Sequence, residues 1–295
     1  SRNPSSFVSS LSVLNKLNLG VQELTKAACC NLSESFETSP SVDVSYSDAV
    51  TGVKQIQLLG LSGNYSQLLT ENVPEIKGLT SHYGMTYIPG PWLEGIQLTK
   101  GVGSVVNGYE SIAGQINVEE KKPDNSENLY VNTYANTMGR LEANINTAHR
   151  LNDKWSVGFL THGNYSSRKV DDNKDGFKDL PTGSQWNIIN RWKYMDNNGW
   201  IMQFALKAMN DKRYAGQVNF DRSKDIGTTN AYGVGIDAQQ YSFTSKIGYI
   251  FPQHKYKSLG LILSAGQYSN SAYYGLSNYD GKQRTVYGNL IYQSI

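Results

Sequence analysis

The stretch Leu93-Glu-Gly-Ile-Gln-Leu-Thr-Lys-Gly-Val-Gly-Ser-Val-Val-Asn-Gly-Tyr-Glu-Ser-Ile-Ala-Gly-Gln-Ile-Asn-Val118 decides how this chain is read. Ile96 and Leu98 alternate with polar neighbours, and Ile116 and Val118 do so again after Gly114. The pattern is that of strand, glycine-rich connection, strand. Gly101, Gly103, Gly108 and Gly114 supply positions where backbone turns tightly or lies against other backbone. Lys100 and the glycines after it could cradle a phosphate. The second glycine and the Lys-Ser/Thr ending of a P-loop are missing, which sets the nucleotide reading aside.

Working outward, the 295 residues suffice for one large or two ordinary domains. With 27 basic against 25 acidic residues the chain has no nucleic-acid footprint. It is rich in Tyr (20) and Gly (28), carries 5 Trp, and has a negative mean hydropathy. No run approaches the roughly 20 apolar residues of a membrane helix. A soluble protein fits those facts. So does a transmembrane β-barrel, whose strands alternate lipid-facing with lumen-facing residues and therefore average out as polar. The Tyr and Trp enrichment favours the barrel, which carries aromatic girdles at both interfaces. The start, Ser-Arg-Asn-Pro-Ser-Ser-Phe-Val-Ser-Ser, has no basic region followed by an apolar core; a signal peptide is expected to have been removed or to lie upstream. Cys29 and Cys30 are adjacent, too close for an internal disulfide. They are expected to be small packing residues, with soft-metal binding as the alternative.

Before Leu93, residues 5–19 alternate loosely and read as an edge strand. Leu24, Ala28, Leu32 and Phe36 recur every four residues as a helical stripe, which Pro40 ends. Val42, Val44 and Tyr46 form a strand, and Val53–Leu59 returns as a second. Thr80–Trp92 reads as a loop. Lys121-Lys122-Pro123 marks a boundary, since proline does not continue a central strand.

Taken together these motifs resemble the plug domain of TonB-dependent outer-membrane receptors. Glu94-Gly-Ile-x-Leu-x-Lys-Gly101, Ser104-Val105, Asn107-Gly-Tyr109 and Ile112-Ala-Gly-x-Ile-Asn-Val118 fall in that family's order and spacing. Upstream, Leu59 stands where the family has arginine, and Glu71-Asn72 replace Asp-Gly before Val73-Pro74. The resemblance implies an α+β plug domain over residues 1–122, followed over 123–295 by transmembrane antiparallel β-barrel strands, mainly β overall. It also implies energised uptake across a bacterial outer membrane, with periplasmic TonB and outer-membrane lipid as partners. The expected substrate is a ferric siderophore or other metal chelate, with cobalamin and oligosaccharide as alternatives. A passive porin or a soluble carbohydrate-binding β-sandwich are the readings from other classes.

The residues after Glu127 agree. Leu129, Val131, Thr133 and Ala135 share one strand face; Leu141, Ala143, Ile145 and Thr147 share the next. Trp186, Ile188, Trp192 and Tyr194 alternate with Gln185, Asn187, Arg191 and Lys193. Short turns are expected at Asn152-Asp153, Asp196–Gly199 and Pro252–Lys257, and longer loops at Arg168–Ser184, Asp211–Gln239 and Ser269–Gln283. Outer-membrane barrels sort loop lengths by side in this way. Eight strands can be counted. That number closes a lumen only wide enough for side chains. The resemblance implies a barrel of twenty-two strands, so this sequence is expected to be a piece of a longer receptor.

Two site readings follow. His82, Tyr83, Met85 and Tyr87 sit where the family meets its ligand, and His and Met both ligate soft metals. Tyr273, Tyr274 and Tyr279, placed in an expected loop, suit an amphipathic chelate or sugar. Separately, Asp171, Asn173 and Asp175 followed by Gly176 match the start of a calcium loop, with Asp179 standing in for the usual twelfth-position Glu. Ca2+ is thus a candidate ligand; no other cofactor is required. No Ser-His-Asp set, paired carboxylates or zinc spacing emerges, so no enzyme is expected.

Overall fold

A computed structural model describes residues 6–8, 16–20, 30–36, 42–48, 50–103, 105–108 and 110–294. The chain divides into two compact units, Ser1–Asp48 with Val53–Lys121, and Ala49–Gly52 with Lys122–Ile295.

In the first unit, β1 (Ser6–Val8), β2 (Lys16–Gly20), β6 (Ser66–Thr70), β7 (Val73–Ile76), β8 (Leu93–Lys100) and β9 (Gly114–Glu120) form a sheet in the order β1-β2-β8-β9-β6-β7. The opening stretch supplies its centre. β8 runs antiparallel to β9 with Leu98 opposite Ile116 and Ile96 opposite Val118, and β9 runs parallel to β6. All four apolar side chains are buried. Gly114 begins β9 at a close approach: a Cβ there would lie 2.6 Å from the Thr99 carbonyl oxygen and from Leu58 Cδ1. A three-stranded sheet of β3 (Asp43–Asp48), β4 (Val53–Leu58) and β5 (Leu61–Ser62) adds Val42, Ile56 and Leu58 to the same core.

Of the expected helical stripe, α1 (Leu32–Ser35) is the described part; Leu24, Ala28, Cys29 and Pro40 lie outside the described residues. Asn31 caps it, its Oδ1 accepting from Ser33 N at 3.1 Å and Glu34 N at 3.4 Å. Leu32 and Phe36, four residues apart, both reach zero exposure. Cys30 is half-buried.

The strand expected to reach Leu59 ends one residue earlier. Leu59 and Gly60 have φ of 55° and 73° and join β4 to β5 in a tight turn. Left-handed backbone costs a branched apolar residue roughly 1–2 kcal/mol, and Leu59 is exposed there. Leu59→Asn is therefore expected to stabilise this unit by about 0.5–1 kcal/mol in a denaturant titration.

The second unit is one antiparallel sheet of hairpin-connected strands: β10 (Leu129–Ala135), β11 (Arg140–Arg150), β12 (Trp155–Ser166), β13 (Thr182–Met195), β14 (Trp200–Gly216), β15 (Gly233–Ile250), β16 (Ser258–Tyr274) and β17 (Ser277–Gln293). Its burial is inverted relative to a water-soluble sheet. Leu141, Ile145, Phe159, Ile188, Leu206, Phe243, Leu263 and Leu290 are exposed on one face. Asn144, Asn146, His162, Gln185, Asn187 and Arg191 are buried on the other. Water does not tolerate a contiguous apolar face of that extent; lipid requires it.

On β15 the apolar band runs from Tyr249 to Tyr241, about 27 Å along the strand and close to the height of a barrel's lipid belt. Aromatics mark one edge of the band. Trp155 packs on Tyr194 with ring centroids 5.0 Å apart, and Trp200 on Tyr249 at 4.8 Å. No described helix is long and apolar enough to cross a membrane.

The loop pattern differs from the expected one. Connections 167–181 and 217–232 are long, and 151–154, 196–199 and 251–257 are short. Ser269–Gln283 is not a loop. β16 continues to Tyr274 and β17 begins at Ser277, leaving Gly275 (φ 59°) and Leu276 as a two-residue turn. The Asp211–Gln239 segment is likewise shorter as a loop, because β14 and β15 extend to Gly216 and from Gly233. Beyond the lipid band a strand needs only its backbone ladder. Polar residues on both faces then carry no alternation to read, and the ladder continues through them.

Candidate ligand-binding site

Within the first unit the expected residues separate. After β7 the chain runs through short 3-10 turns at Gly78–Thr80 and Gly84–Tyr87. Thr80 organises the first, its Oγ1 accepting from Lys77 N at 2.9 Å and donating to Lys77 O at 2.8 Å. Thr86 closes the second, its backbone N–H and Oγ1 donating to Tyr83 O at 2.9 and 2.7 Å. Segment 80–92 is therefore a succession of tight turns, and these fix each side chain. His82 is exposed and meets the edge of the Tyr83 ring, centroids 6.2 Å apart. Tyr83 and Tyr87 are buried. Met85 belongs to the hydrophobic core, with Leu68, Ile88 and the partly buried Ile76 in the same cluster.

His82 and Met85 nevertheless border one cavity of about 490 Å³. Gln55, Asn64, Gln67, Lys77 and Glu110 contribute its polar groups, and Ile56, Leu68 and Ile76 its apolar floor. Behind it Gln115 Nε2 donates to Gln67 Oε1 at 2.7 Å, a buried pair that holds the Gln67 amide in place. The cavity thus offers a histidine, an amine, a carboxylate and several amides around an apolar base, the chemistry of an amphipathic polar ligand. Lys77, Glu110, Gln55 and Asn64 carry no sequence signal. They come from separate segments and are brought together only by the folding of this unit.

The tyrosines of β16 and β17 do not form one group. Tyr273 lies on the face that carries the apolar band, its ring over Gly235. Tyr274 and Tyr279 lie on the opposite face. All three are strand residues, which corrects their expected placement in a loop.

In the acidic loop, Asp171 accepts from Asp175 N and Gly176 N, both at 3.1 Å. Asn173 Oδ1 accepts from Asp175 N at 3.1 Å, Asp175 from Phe177 N at 2.8 Å and Asp179 from Asp172 N at 2.7 Å. Their oxygens serve the loop's own amides. Among the described residues no three His, Cys, Asp or Glu side chains converge as a metal-holding group.

On the buried face of the large sheet, polar side chains form a ladder across four strands. Asn144 Nδ2 donates to Asn132 Oδ1 at 3.4 Å, and His162 Nδ1 lies 2.9 Å from Asn144 Oδ1. Asn164 bridges His162 and Gln185, and Gln185 Nε2 donates to Asn187 Oδ1 at 3.1 Å. Such a face is polar, as a barrel interior is.

No family model matches the chain. The Vitamin B12 transporter BtuB of Vibrio vulnificus (strain CMCP6) is 26% identical over 140 residues, 48% of this chain and 22% of that protein. Among solved structures, the siderophore receptor PiuA from Acinetobacter baumannii aligns with a TM-score of 0.66 at 11% identity, over 88% of this chain and 37% of that one. The ferric-catecholate import receptor Fiu of E. coli aligns at 0.65 and 10% identity, over 95% and 42%. The copper transporter OprC aligns at 0.59 and 13%, over 95% and 50%. The chain spans half or less of the length of each of these relatives. At these identities the likeness shows the fold: this chain's six-stranded mixed sheet and its eight hairpin-connected strands are similar in fold to part of each of these receptors.

Proposed function

We propose that this chain is the leading part of a receptor of the Gram-negative outer membrane that takes up a scarce metal chelate or cobalamin with energy delivered by TonB. The observation that carries the reading is the union of two parts on one chain: a unit with the plug's β8–β9 and β6–β9 pairing, and a sheet whose exposed face is apolar. A passive porin has no use for the first, and a soluble sandwich cannot carry the second in water. The matched structures' own substrates, siderophores and copper, support a metal chelate. The B12 transporter supports cobalamin. The cavity beside His82 is the ligand contact of this reading, because it gathers expected site residues with further polar groups.

The test is accumulation of labelled ferric chelates, copper and cobalamin by cells carrying the intact receptor, compared with cells lacking it or lacking TonB. His82→Ala, at an exposed position that leaves the core intact, is expected to lower uptake of the true substrate about tenfold, the loss of one strong polar or metal contact. Receptor- and TonB-independent accumulation of all three would overturn the reading.

A further inference from the structure

Beyond the lipid band, the apolar face of the large sheet changes character. Tyr214 lies opposite Gly235, and Gly235 opposite Tyr273. This row is six residues past the Ala208–Tyr241 pair, about 20 Å further along the strands. Tyr273 lies flat over Gly235, where a Cβ would come within 2.2 Å of its ring, and Phe220 stands 6.1 Å from Tyr273 between centroids. Together they make an aromatic floor outside the sheet.

Three cations gather at this floor. The Arg222 guanidinium stacks on Tyr214, 3.8 Å from the ring centroid. Lys178 is buried, its backbone N–H donating to Gly216 O at 3.0 Å and its Nζ to Tyr214 O at 3.4 Å. Lys169 Nζ donates to Val218 O at 2.8 Å. Among the described residues none of the three is paired with a carboxylate. Of the acids nearby, Asp179 accepts from Asp172 N at 2.7 Å, and Asp221 attracts Lys169 electrostatically without forming an ion pair with it. Asp221 accepts from Ser223 N and Oγ at 2.9 and 2.7 Å and faces Lys224 at 3.8 Å, while Asp225 accepts from Asp221 N at 2.8 Å. Burial, then Lys169 and then Arg222, push the Lys178 amine below the usual lysine range. Nearby, the Tyr273 hydroxyl is shielded and has no hydrogen-bond partner. A buried amine with two like charges beside it is costly until an anion neutralises them.

We propose that Lys169, Lys178 and Arg222 form a site for a phosphate group on the sugar head of an outer-leaflet glycolipid. The position argues for that source. The cluster lies on the lipid-facing side of the sheet, at the end with the long connections, beyond the hydrocarbon band where a sugar-phosphate head stands. A guanidinium and two ammonium groups match phosphate oxygens through charge-assisted hydrogen bonds. The inference rests on the outer-membrane reading above.

The test uses the intact receptor purified in detergent, with native mass spectrometry counting retained lipid. The probes are rough lipopolysaccharide with its core phosphates, the same lipid dephosphorylated, and inorganic phosphate as competitor. Wild-type receptor is expected to retain the phosphorylated lipid about tenfold better than the dephosphorylated one, and the double variant Arg222→Ala, Lys169→Ala to lose that preference. Both residues are exposed, so the strands stay formed, and substrate uptake is expected to remain at the wild-type level. Lys178→Met, close in volume, should have the same effect on lipid retention. Equal retention of both lipids, or unchanged retention in the variants, would overturn the site. Complete displacement by inorganic phosphate would assign it to a free anion and overturn the lipid. Fractionation that finds the receptor outside the outer membrane would instead sink the reading beneath it, so the two failures are distinguishable.

Discussion

Leu263→Arg is expected to destabilise the intact receptor in lipid vesicles by about 2–4 kcal/mol, read as a lower midpoint in a urea titration. Leu263 is 47% exposed, sits halfway along the apolar band, and lies opposite Ser245 and Gly288 on its neighbouring strands. A charge there enters the middle of the hydrocarbon. Ile262→Arg is the matched control. Its side chain lies on the other face, opposite Lys246 and Asn289 in the register, where an added charge meets polar neighbours and the expected cost is well below that of Leu263→Arg. In a soluble sandwich the first substitution would be nearly neutral, because an exposed arginine in water costs little. Equal stability of Leu263→Arg and wild type would therefore refute the lipid-facing assignment.

Ile116→Ala is expected to cost the first unit about 2–5 kcal/mol. Ile116 has zero exposure and sits where β6, β8 and β9 meet, opposite Leu98 on one side and Leu68 on the other. Truncation leaves a cavity that a sheet fixed on both sides fills poorly. The check is limited proteolysis of the intact receptor. Cleavage between Leu93 and Val118 should rise at least about thirtyfold while the barrel strands stay resistant, since each 1.4 kcal/mol multiplies the opened population tenfold. Unchanged cleavage would mean that the β8–β9 pairing does not hold this unit together.

These two positions also mark what could be read in advance. Ile116 and Leu263 were both legible because strand alternation is local: successive side chains point to opposite faces, and burial or lipid demands apolar residues on one of them. The same logic made the eight hairpin strands countable and exposed the pairing potential of Leu93–Val118 around its glycines. Where no solvent imposes a pattern, the strand leaves no signal in the sequence. Ser269–Gln283 is polar on both faces and reads as a loop, yet its backbone ladder continues to Tyr274. By sequence Tyr273 groups with Tyr274 and Tyr279, and the register sends it to the other side.

The sequence by itself determined the alternation of the strands, their hairpin order and the class of membrane they suit, because each is set by neighbours one or two residues away. Tertiary structure alone decided that His82 shares a cavity with Lys77 and Glu110, that Met85 is spent on the core, and that Lys178 and Arg222 converge on Tyr214. Those groupings depend on strand register and on turns that join distant segments, and no local periodicity encodes either.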